Sequence, residues 1–299
     1  MKKDLFEKVD STTILHNFQD ACSDKDFKNF VYGLDIDENI LMKYTSSLED
    51  AYVEHKNCLG CKKLDSCKNV VKGYKYTPKK DNNIIVFSYD ACDKMNKNLE
   101  ENAYKDNLEV FELSADLKNA SLKDIYKDDK LRLPIIKYFK EFIDNYNSNV
   151  KPKGMYIYGS FGSGKTYLTA ALFNEMAKKG VKSIMVYYPD FLSELKSSFN
   201  TNFSERFYNI KKIPLLLIDD IGAENVSNWS RDEVLGPILQ YRMENHLPTF
   251  FTSNLTLSEL EKNLSITSSG VDKVKARRII ERIKQLCVYH ELISKNRRV

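Results

Sequence analysis

The sequence predicts an α/β protein whose parallel sheet is covered by helices on both faces, preceded by a smaller helical unit. Through the second half of the chain, short apolar runs alternate with helical segments, a pattern typical of strands joined by crossover helices. Two of these runs lead into a glycine-rich loop and into two acids, as buried parallel strands do at a ligand site. The N-terminal part instead shows helical periodicity followed by clustered cysteines.

The length of 299 residues is enough for two domains, because domains cluster near ~100–150 residues. Hydrophobic residues make up 42% and charged residues 29%, and no apolar run is long enough to span a membrane. No apolar segment follows the lysines near Met1, so no signal peptide is predicted and we expect a cytoplasmic protein without membrane contact. A net charge of +4 permits contact with nucleic acid without requiring it.

Residues 159–166, Gly-Ser-Phe-Gly-Ser-Gly-Lys-Thr, match the P-loop pattern G-x-x-x-x-G-K-T; they follow an apolar run and precede a helix predicted over Thr166–Lys179. Such a loop wraps a polyphosphate with its amides, so it needs glycine where the backbone approaches closely. Lys165 would reach the β- and γ-phosphates, and Thr166 would bind Mg²⁺. A chance match is the alternative. The predicted contacts to ATP or ADP are Gly159, Ser160, Phe161, Gly162, Ser163, Gly164, Lys165, Thr166 and Tyr167.

A second apolar run, Pro214–Asp220, ends in two acids and is typical of a Walker B strand. We expect Asp219 to hold Mg²⁺ and Asp220 to orient the water that attacks ATP. Asn254 ends another apolar run, where its amide would hold that water or the γ-phosphate; an ordinary turn residue is the alternative. These residues together predict an ATPase that forms ADP and phosphate.

Further elements extend the predicted sheet. Strands are predicted at Ser183–Tyr188, Pro248–Asn254 and Cys287–Ile293, and helices at Pro134–Asn147, Phe191–Phe199, Ser230–Met243 and Lys275–Gln285. Capping boxes are predicted at Ser230–Glu233 and Thr256–Glu259. In the last helix, Arg278 and then Arg282 are the candidates to complete the ATP site of a neighbouring subunit, and a solvated basic face is the alternative. With such an arginine, the protein would assemble with itself and hydrolysis would depend on assembly.

Six cysteines in a chain expected to be cytoplasmic would stay reduced, so clustered ones are better explained as metal ligands. A C-x₂-C knuckle and two further sulfurs can supply the tetrahedral set that structural zinc prefers. Strands at Gly73–Tyr76 and Asn83–Tyr89 would return the last cysteine to the knuckle, and His55 is a reserve ligand. Free, half-buried thiols are the alternative. The predicted zinc ligands are Cys58, Cys61, Cys67 and Cys92.

Residues 101–130 are rich in charged and amide side chains with scattered apolar ones, a composition that predicts a linker. It would separate an N-terminal domain, residues 1–100, from an ATPase domain, residues 131–299.

These motifs together resemble one family. Residues 159–166, Leu216–Glu224, Trp229–Arg242 and Phe250–Asn254 are similar to the matching segments of DnaI-type primosomal helicase loaders, AAA+ ATPases of the DnaI/DnaC family. The resemblance extends to the N-terminal cysteines. It implies an AAA+ P-loop domain of three layers without a full C-terminal lid, preceded by a small zinc-binding domain. No histidine lies between Cys67 and Cys92, which leaves four sulfurs as the zinc ligands.

The resemblance also implies a function. Such a protein uses ATP to place the hexameric replicative DNA helicase on single-stranded DNA during primosome assembly, at initiation or restart of replication. The N-terminal domain would hold the helicase, and other primosome proteins would be further partners. Two other classes stay open: a transposition-helper ATPase of similar build that acts with a transposase, and an adaptor that binds ATP without hydrolysing it. The cysteine knuckle argues against the first, and the intact Asp219 and Asp220 against the second.

Overall fold

The computed structural model describes residues 11–82, 84–111, 113–125, 130–148, 150–197 and 203–296. The chain divides into two compact units, residues 1–103 and 104–299. The predicted start of a strand at Asn83 and the predicted end of a helix at Phe199 lie outside the described residues. Within these ranges, none of the helices is long and apolar enough to cross a membrane.

The N-terminal unit combines helices with one β-hairpin. Its helices are α1 (Ser11–Ala21), α2 (Lys25–Tyr32), α3 (Glu38–Leu41), α4 (Thr45–Leu59) and α5 (Asp93–Asn102). Strands β1 (Tyr74–Asp81) and β2 (Ile84–Ala91) pair antiparallel, with Tyr76 opposite Tyr89. A small core of Phe18, Phe27, Val31, Leu41 and Leu48 packs against Ile85 of β2. The predicted helices and hairpin are therefore present, and β1 runs further than the prediction.

The C-terminal unit is built on a six-stranded parallel sheet in the order β10-β4-β7-β6-β5-β3. Its strands are β3 (Leu108–Phe111), β4 (Gly154–Gly159), β5 (Ser183–Tyr187), β6 (Leu215–Asp219), β7 (Thr249–Ser253) and β10 (Cys287–Leu292). Its helices are α6 (Leu133–Asn145), α7 (Lys165–Lys178), α8 (Tyr188–Ser197), α9 (Phe203–Lys212), α10 (Gly236–Glu244), α11 (Leu257–Ser265) and α12 (Lys273–Leu286), with a short hairpin of β8 (Ile266–Thr267) and β9 (Gly270–Val271).

Both faces of this sheet are buried. Successive residues of a strand point to opposite faces, and helices cover each of them. On one side, Met185, Leu217 and Phe250 pack with α6 and α7. On the other, Ile218 and Phe251 pack with α8, α10, α11 and α12. The predicted α/β fold with a doubly covered parallel sheet is confirmed, and the carboxyl ends of β4, β6 and β7 meet at one edge.

Two local predictions were wrong. The segment predicted as a linker contains β3, the edge strand of the large sheet, and contributes Leu108, Ala120 and Ile125 to the core. The capping box at Ser230 is absent, because a π-helical turn already begins at Trp229 and the Ser230 hydroxyl donates to the Ser227 carbonyl. The capping box that joins Thr256 and Glu259 is present as predicted.

Candidate nucleotide-binding site

The P-loop connects the end of β4 to the start of α7. Its three glycines have positive φ angles, 138° at Gly159, 69° at Gly162 and 87° at Gly164, which other residues adopt only at a cost. Space is limited as well: a Cβ on Gly159 would lie 2.3 Å from the Leu292 carbonyl oxygen, and one on Gly162 would lie 1.9 Å from Asn296 Oδ1. The φ angles therefore favour glycine at all three positions, and the backbone contact at Gly159 also leaves no room for a side chain.

Lys165 is the first residue of α7, and its side chain is 7% exposed. Its Nζ donates to the carbonyl oxygens of Gly159 at 3.0 Å and Ser160 at 2.9 Å, and to Asn254 Oδ1 at 2.8 Å. The ammonium group is thus held between the P-loop and the end of β7. A phosphate that replaced these neutral acceptors would form stronger, charge-assisted bonds with it.

Asp219 ends β6 and is 4% exposed. Its Oδ1 accepts hydrogen bonds from the hydroxyls of Thr166 at 2.8 Å and Thr252 at 2.6 Å. Burial raises the pKa of Asp219, and these two hydrogen bonds act in the opposite direction. A buried carboxylate beside a threonine hydroxyl is the arrangement by which P-loop proteins hold Mg²⁺, so this pair of side chains fits the ion by type.

Asp220 follows β6 with φ at 58°, in the left-handed region that is costly for a residue with a side chain. Its backbone N–H donates to Thr252 Oγ1 at 2.9 Å, and its Oδ1 accepts a bond from Asn254 Nδ2 at 3.2 Å. Asn254 therefore contacts both Lys165 and Asp220. The structure brings the residues predicted from three separate strand ends into one hydrogen-bonded site.

Other residues of the predicted contact set have different surroundings. The Ser160 hydroxyl donates to the Ser294 carbonyl at 3.0 Å, which fixes the chain after β10 against the P-loop. Phe161 is 73% exposed, Ser163 is fully buried, and Tyr167 of α7 is half-buried against the core. Backbone N–H groups of the loop can bind phosphate, and the Ser160 side chain is in addition hydrogen-bonded to the segment after β10.

Two residues that bond within the site were missed by the sequence reasoning, and a third, Glu224, is buried a few residues after Asp220. Thr252 bonds to both Walker B acids, and Arg132, 2% exposed, donates from Nη2 to the Ser163 carbonyl at 2.6 Å. Glu224 is 8% exposed and its Oε2 accepts from the Gly222 N–H, while burial raises the pKa of Glu224. Thr252 could have been found, because it precedes Asn254 by two residues on the same strand end. Nothing in the local sequence around Arg132 indicates its contact.

The two candidate arginines of α12 differ. Arg282 is half-buried and donates from Nη1 to the Gly236 carbonyl at 3.1 Å within its own chain. Burial lowers the pKa of Arg282. Arg278 is exposed, while Ile279, Ile280 and Ile283 pack α12 onto the sheet as predicted.

The four cysteines occupy the end of α4, the loop after it and the end of the hairpin. Cys58 Sγ accepts from Asn69 Nδ2 at 3.4 Å, and Cys67 Sγ accepts from the Gly73 N–H at 3.3 Å. Among the described residues, no three His, Cys, Asp or Glu side chains are grouped so that they could hold a metal ion. The donor set suits zinc by type, but the thiols are not drawn together.

Two further observations concern the same loop. The backbone N–H of Cys92 donates to the Gly73 carbonyl at 2.9 Å, so Cys92 and Cys67 both border Gly73. His55, the reserve ligand, packs its ring against Phe30 at 5.1 Å, and burial lowers the pKa of His55. His55 is therefore engaged in the helical core rather than in the cysteine loop.

A P-loop, two acids and an asparagine at the carboxyl edge of a parallel sheet define a P-loop ATP-binding protein. The family described as IstB-like ATP binding protein matches residues 141–292. The replicative helicase loader DnaI of Bacillus subtilis (strain 168) is 35% identical over 265 residues, which are 88% of this chain and 85% of that protein. The chain therefore belongs to the DnaI family of replicative helicase loaders.

Solved structures agree with this assignment. A crystal structure of DnaI is 44% identical, with a TM-score of 0.59, and the match covers 65% of this chain and 99% of that one. A crystal structure of the DnaC helicase loader, 23% identical with a TM-score of 0.51, shares the fold over 61% of this chain and 100% of that one. The replicative helicase loader DnaC of Escherichia coli (strain K12) is 26% identical over 129 residues, 42% of this chain and 51% of that protein.

Proposed function

We propose that this protein uses ATP to load the hexameric replicative DNA helicase onto single-stranded DNA during primosome assembly. The observation that carries the proposal is the extent of the similarity to DnaI, which includes 88% of the chain and so reaches beyond the ATP-binding unit. A protein that needed only ATP binding would have no reason to resemble a loader in its N-terminal unit. Other primosome proteins would be additional partners.

In the proposed reaction, Lys165 and the amides of the P-loop bind the phosphates, and Thr166 and Asp219 hold Mg²⁺. The ion would neutralise charge on the phosphates. Asp220 and Asn254 position the attacking water, since both lie at the carboxyl edge and bond to each other. When Lys165 binds the γ-phosphate, its hydrogen bond to Asn254 would break. The Asn254 amide would therefore have different orientations in the ATP-bound and ADP-bound protein. We expect slow hydrolysis that assembly or single-stranded DNA stimulates.

The Lys165→Ala variant tests the site. Loss of a charged contact should weaken ATP and ADP binding by about tenfold to hundredfold and abolish turnover. Capture of the replicative helicase by the same folded variant should be retained. Lys179→Ala, which removes an exposed lysine just after α7, is the matched control. Loss of helicase capture in Lys165→Ala would contradict the division between the two units.

The helicase-binding surface is proposed to lie on the N-terminal unit. The outward face of β2 supports this, because Ile84 and Val86 are 51% and 41% exposed on the same side of the strand, and adjoining exposed apolar side chains are what a protein partner covers. Val86→Asp should abolish capture of the helicase by the full chain while ATP binding stays unchanged. Unaltered capture would place the helicase contact elsewhere.

We further propose that Arg278 completes the ATP site of a neighbouring subunit. Arg278 is favoured over Arg282 because Arg282 is bonded to Gly236 in its own chain. Arg278→Ala should lose turnover while keeping ATP affinity. Mixing it with Lys165→Ala should restore part of the activity, since Lys165→Ala subunits still supply an arginine. If the mixture remains inactive, the arginine does not act between subunits.

Structural zinc bound by Cys58, Cys61, Cys67 and Cys92 is also part of the proposal. It is supported by the C-x₂-C spacing and by the N–H groups that donate to Cys58 and Cys67 sulfurs, as is common around zinc-bound thiolates. Elemental analysis of the purified full chain would detect about one zinc per chain. A zinc-free, fully active protein would contradict it.

One other function has a specific observation behind it. The match to the family described as IstB-like ATP binding protein is also compatible with the transposition-helper ATPase, but it covers only residues 141–292 and leaves the N-terminal unit unexplained. Stimulation of ATP turnover by helicase and single-stranded DNA, compared with duplex DNA alone, distinguishes the two. A preference for duplex DNA without helicase would favour the transposition helper.

A further inference from the structure

Arg132 contacts the P-loop from outside the predicted motif. It lies immediately before α6, is 2% exposed, and donates from Nη2 to the carbonyl oxygen of Ser163 at 2.6 Å. The same Nη2 is 3.3 Å from the place that a Cβ on Gly164 would occupy. A charged guanidinium therefore adjoins the Ser163–Gly164 peptide of the P-loop.

This peptide has a particular task in a P-loop. The C=O and N–H of a trans peptide point in opposite directions, so a carbonyl held outward turns the following N–H inward. The φ of 87° at Gly164 belongs to the left-handed conformation by which successive amides form an anion-binding nest. Ser163 is fully buried, so its outward carbonyl needs a donor from the protein, and Arg132 supplies a charge-assisted one.

We propose that Arg132 is a positioning residue for the nucleotide: it fixes the Ser163–Gly164 peptide so that the Gly164 N–H binds the β-phosphate. Arg132 acts through this peptide and does not touch the nucleotide. The proposal rests on the nucleotide site proposed above. The planar guanidinium of Arg132 matters because it can direct one N–H at the carbonyl while its plane remains packed in the protein.

A second buried arginine shows what a purely structural role looks like. Arg242 is fully buried and donates to the carbonyl oxygens of Ile213 at 2.7 Å and Pro248 at 2.8 Å. Both carbonyls precede strands, at the edge of the sheet opposite to the P-loop. Arg242 thus makes the same kind of bond as Arg132 at a place where no ligand is expected.

The test compares Arg132→Met and Arg132→Lys with the unmodified protein by titration with ATP and with ADP. For Arg132→Met we expect both affinities to fall by the same factor, about tenfold to hundredfold, because both nucleotides carry a β-phosphate. Arg132→Lys should recover part of the loss. At saturating ATP, kcat should stay within about twofold while KM rises, since Asp219, Asp220 and Asn254 are unchanged.

Two controls separate positioning from general stability. Lys130→Met removes an exposed charge two residues away and should leave both affinities unchanged. Arg242→Lys should lower the melting temperature without changing the affinity of the folded protein. Wild-type affinity in folded Arg132→Met would overturn the proposal. An unmodified protein that bound neither nucleotide would instead refute the proposed function.

Discussion

The P-loop and the cysteine loop both arrange side chains for a ligand, but the surrounding structure supports them differently. At the P-loop, Lys165 has three acceptors within 3.0 Å and Asp219 has two hydroxyl donors, all from the same sheet edge. In the cysteine loop, Cys58 and Cys67 accept N–H bonds of 3.3 to 3.4 Å, and the four thiols are not gathered.

The two sites differ in the interactions that hold their side chains in place. The nucleotide site lies between buried parallel strands, so the energy of sheet formation also fixes its side chains before a ligand binds. The cysteine loop has little apolar packing of its own, and a zinc ion would have to supply the energy that draws its thiolates together. We therefore expect removal of zinc to unfold the N-terminal unit, whereas the nucleotide site should keep its structure without a ligand.

Removal of zinc should have the largest effect. Structural zinc can contribute up to about 10–16 kcal/mol, so a chelator should unfold the N-terminal unit and abolish helicase capture. ATP affinity should remain, because the nucleotide site belongs to the other unit. Circular dichroism and ATP titration before and after chelation would measure both.

Matched cysteine variants sharpen this experiment. Cys61→Ser should lose the zinc, whereas Cys22→Ser, outside the predicted set, should retain it. If chelation changes neither the fold nor helicase capture, the cysteine loop is held by ordinary contacts and the contrast with the P-loop disappears.

Asp219→Asn should have the next largest effect, with opposite signs for binding and stability. It should weaken Mg²⁺-dependent ATP binding about tenfold to hundredfold, as removal of a metal-site group does. Without nucleotide it should raise the free energy of unfolding at neutral pH by about 1–3 kcal/mol, because it removes a desolvated charge while Oδ1 can still accept from both threonines.

The pH dependence follows from the raised pKa of Asp219. Its protonated form is favoured in the folded protein, so this contribution to stability is full below the usual value of 3.8 and is lost as pH rises through the raised pKa. The stability gain of Asp219→Asn should therefore vanish in acid. Thermal unfolding between acid and neutral pH checks this, and an equal gain at every pH would contradict the cause given.

Glu54→Gln should come last in the order, because it should change stability and leave ATP binding unaltered. Glu54 is 5% exposed in α4 and accepts the N–H groups of Val70 at 3.1 Å and Tyr76 at 2.6 Å, so it fixes both ends of the loop that carries Cys67 to the hairpin. A glutamine would place its amide NH₂ group against one of these two backbone N–H groups. The lost hydrogen bond would lower the free energy of unfolding by about 1–3 kcal/mol. Chemical denaturation of the zinc-bound protein, followed by circular dichroism, should show this loss. Glu49→Gln, exposed on the same helix, is the control.

Much of the nucleotide site could be predicted because its determinants are local. Glycines at 159, 162 and 164 are required by the backbone itself, and apolar runs bounded by turns predict strands whose ends share one edge. The strand predicted at Pro248–Asn254 is found at Thr249–Ser253, and the acids of Pro214–Asp220 lie where the motif indicates.

What the sequence did not predict depends on distant contacts. Arg132 bonds to a carbonyl 31 residues away, and Thr252 to an acid 33 residues away, and neither contact has a local pattern. Strand β3 spans only Leu108–Phe111 within polar sequence, and it is a strand because β5 provides an edge for it to pair with. Whether four cysteines come together likewise depends on how the loop between them closes, and sequence spacing alone does not determine this.

The backbone at Asp220 links heat resistance to loss of function. Its left-handed φ of 58° is adopted more readily by asparagine or glycine, so exchange at this position relaxes the chain while it removes a carboxylate proposed for hydrolysis. Selection for thermal stability would therefore enrich inactive variants at Asp220. Each round of selection needs a measurement of ATP turnover as well as a melting curve.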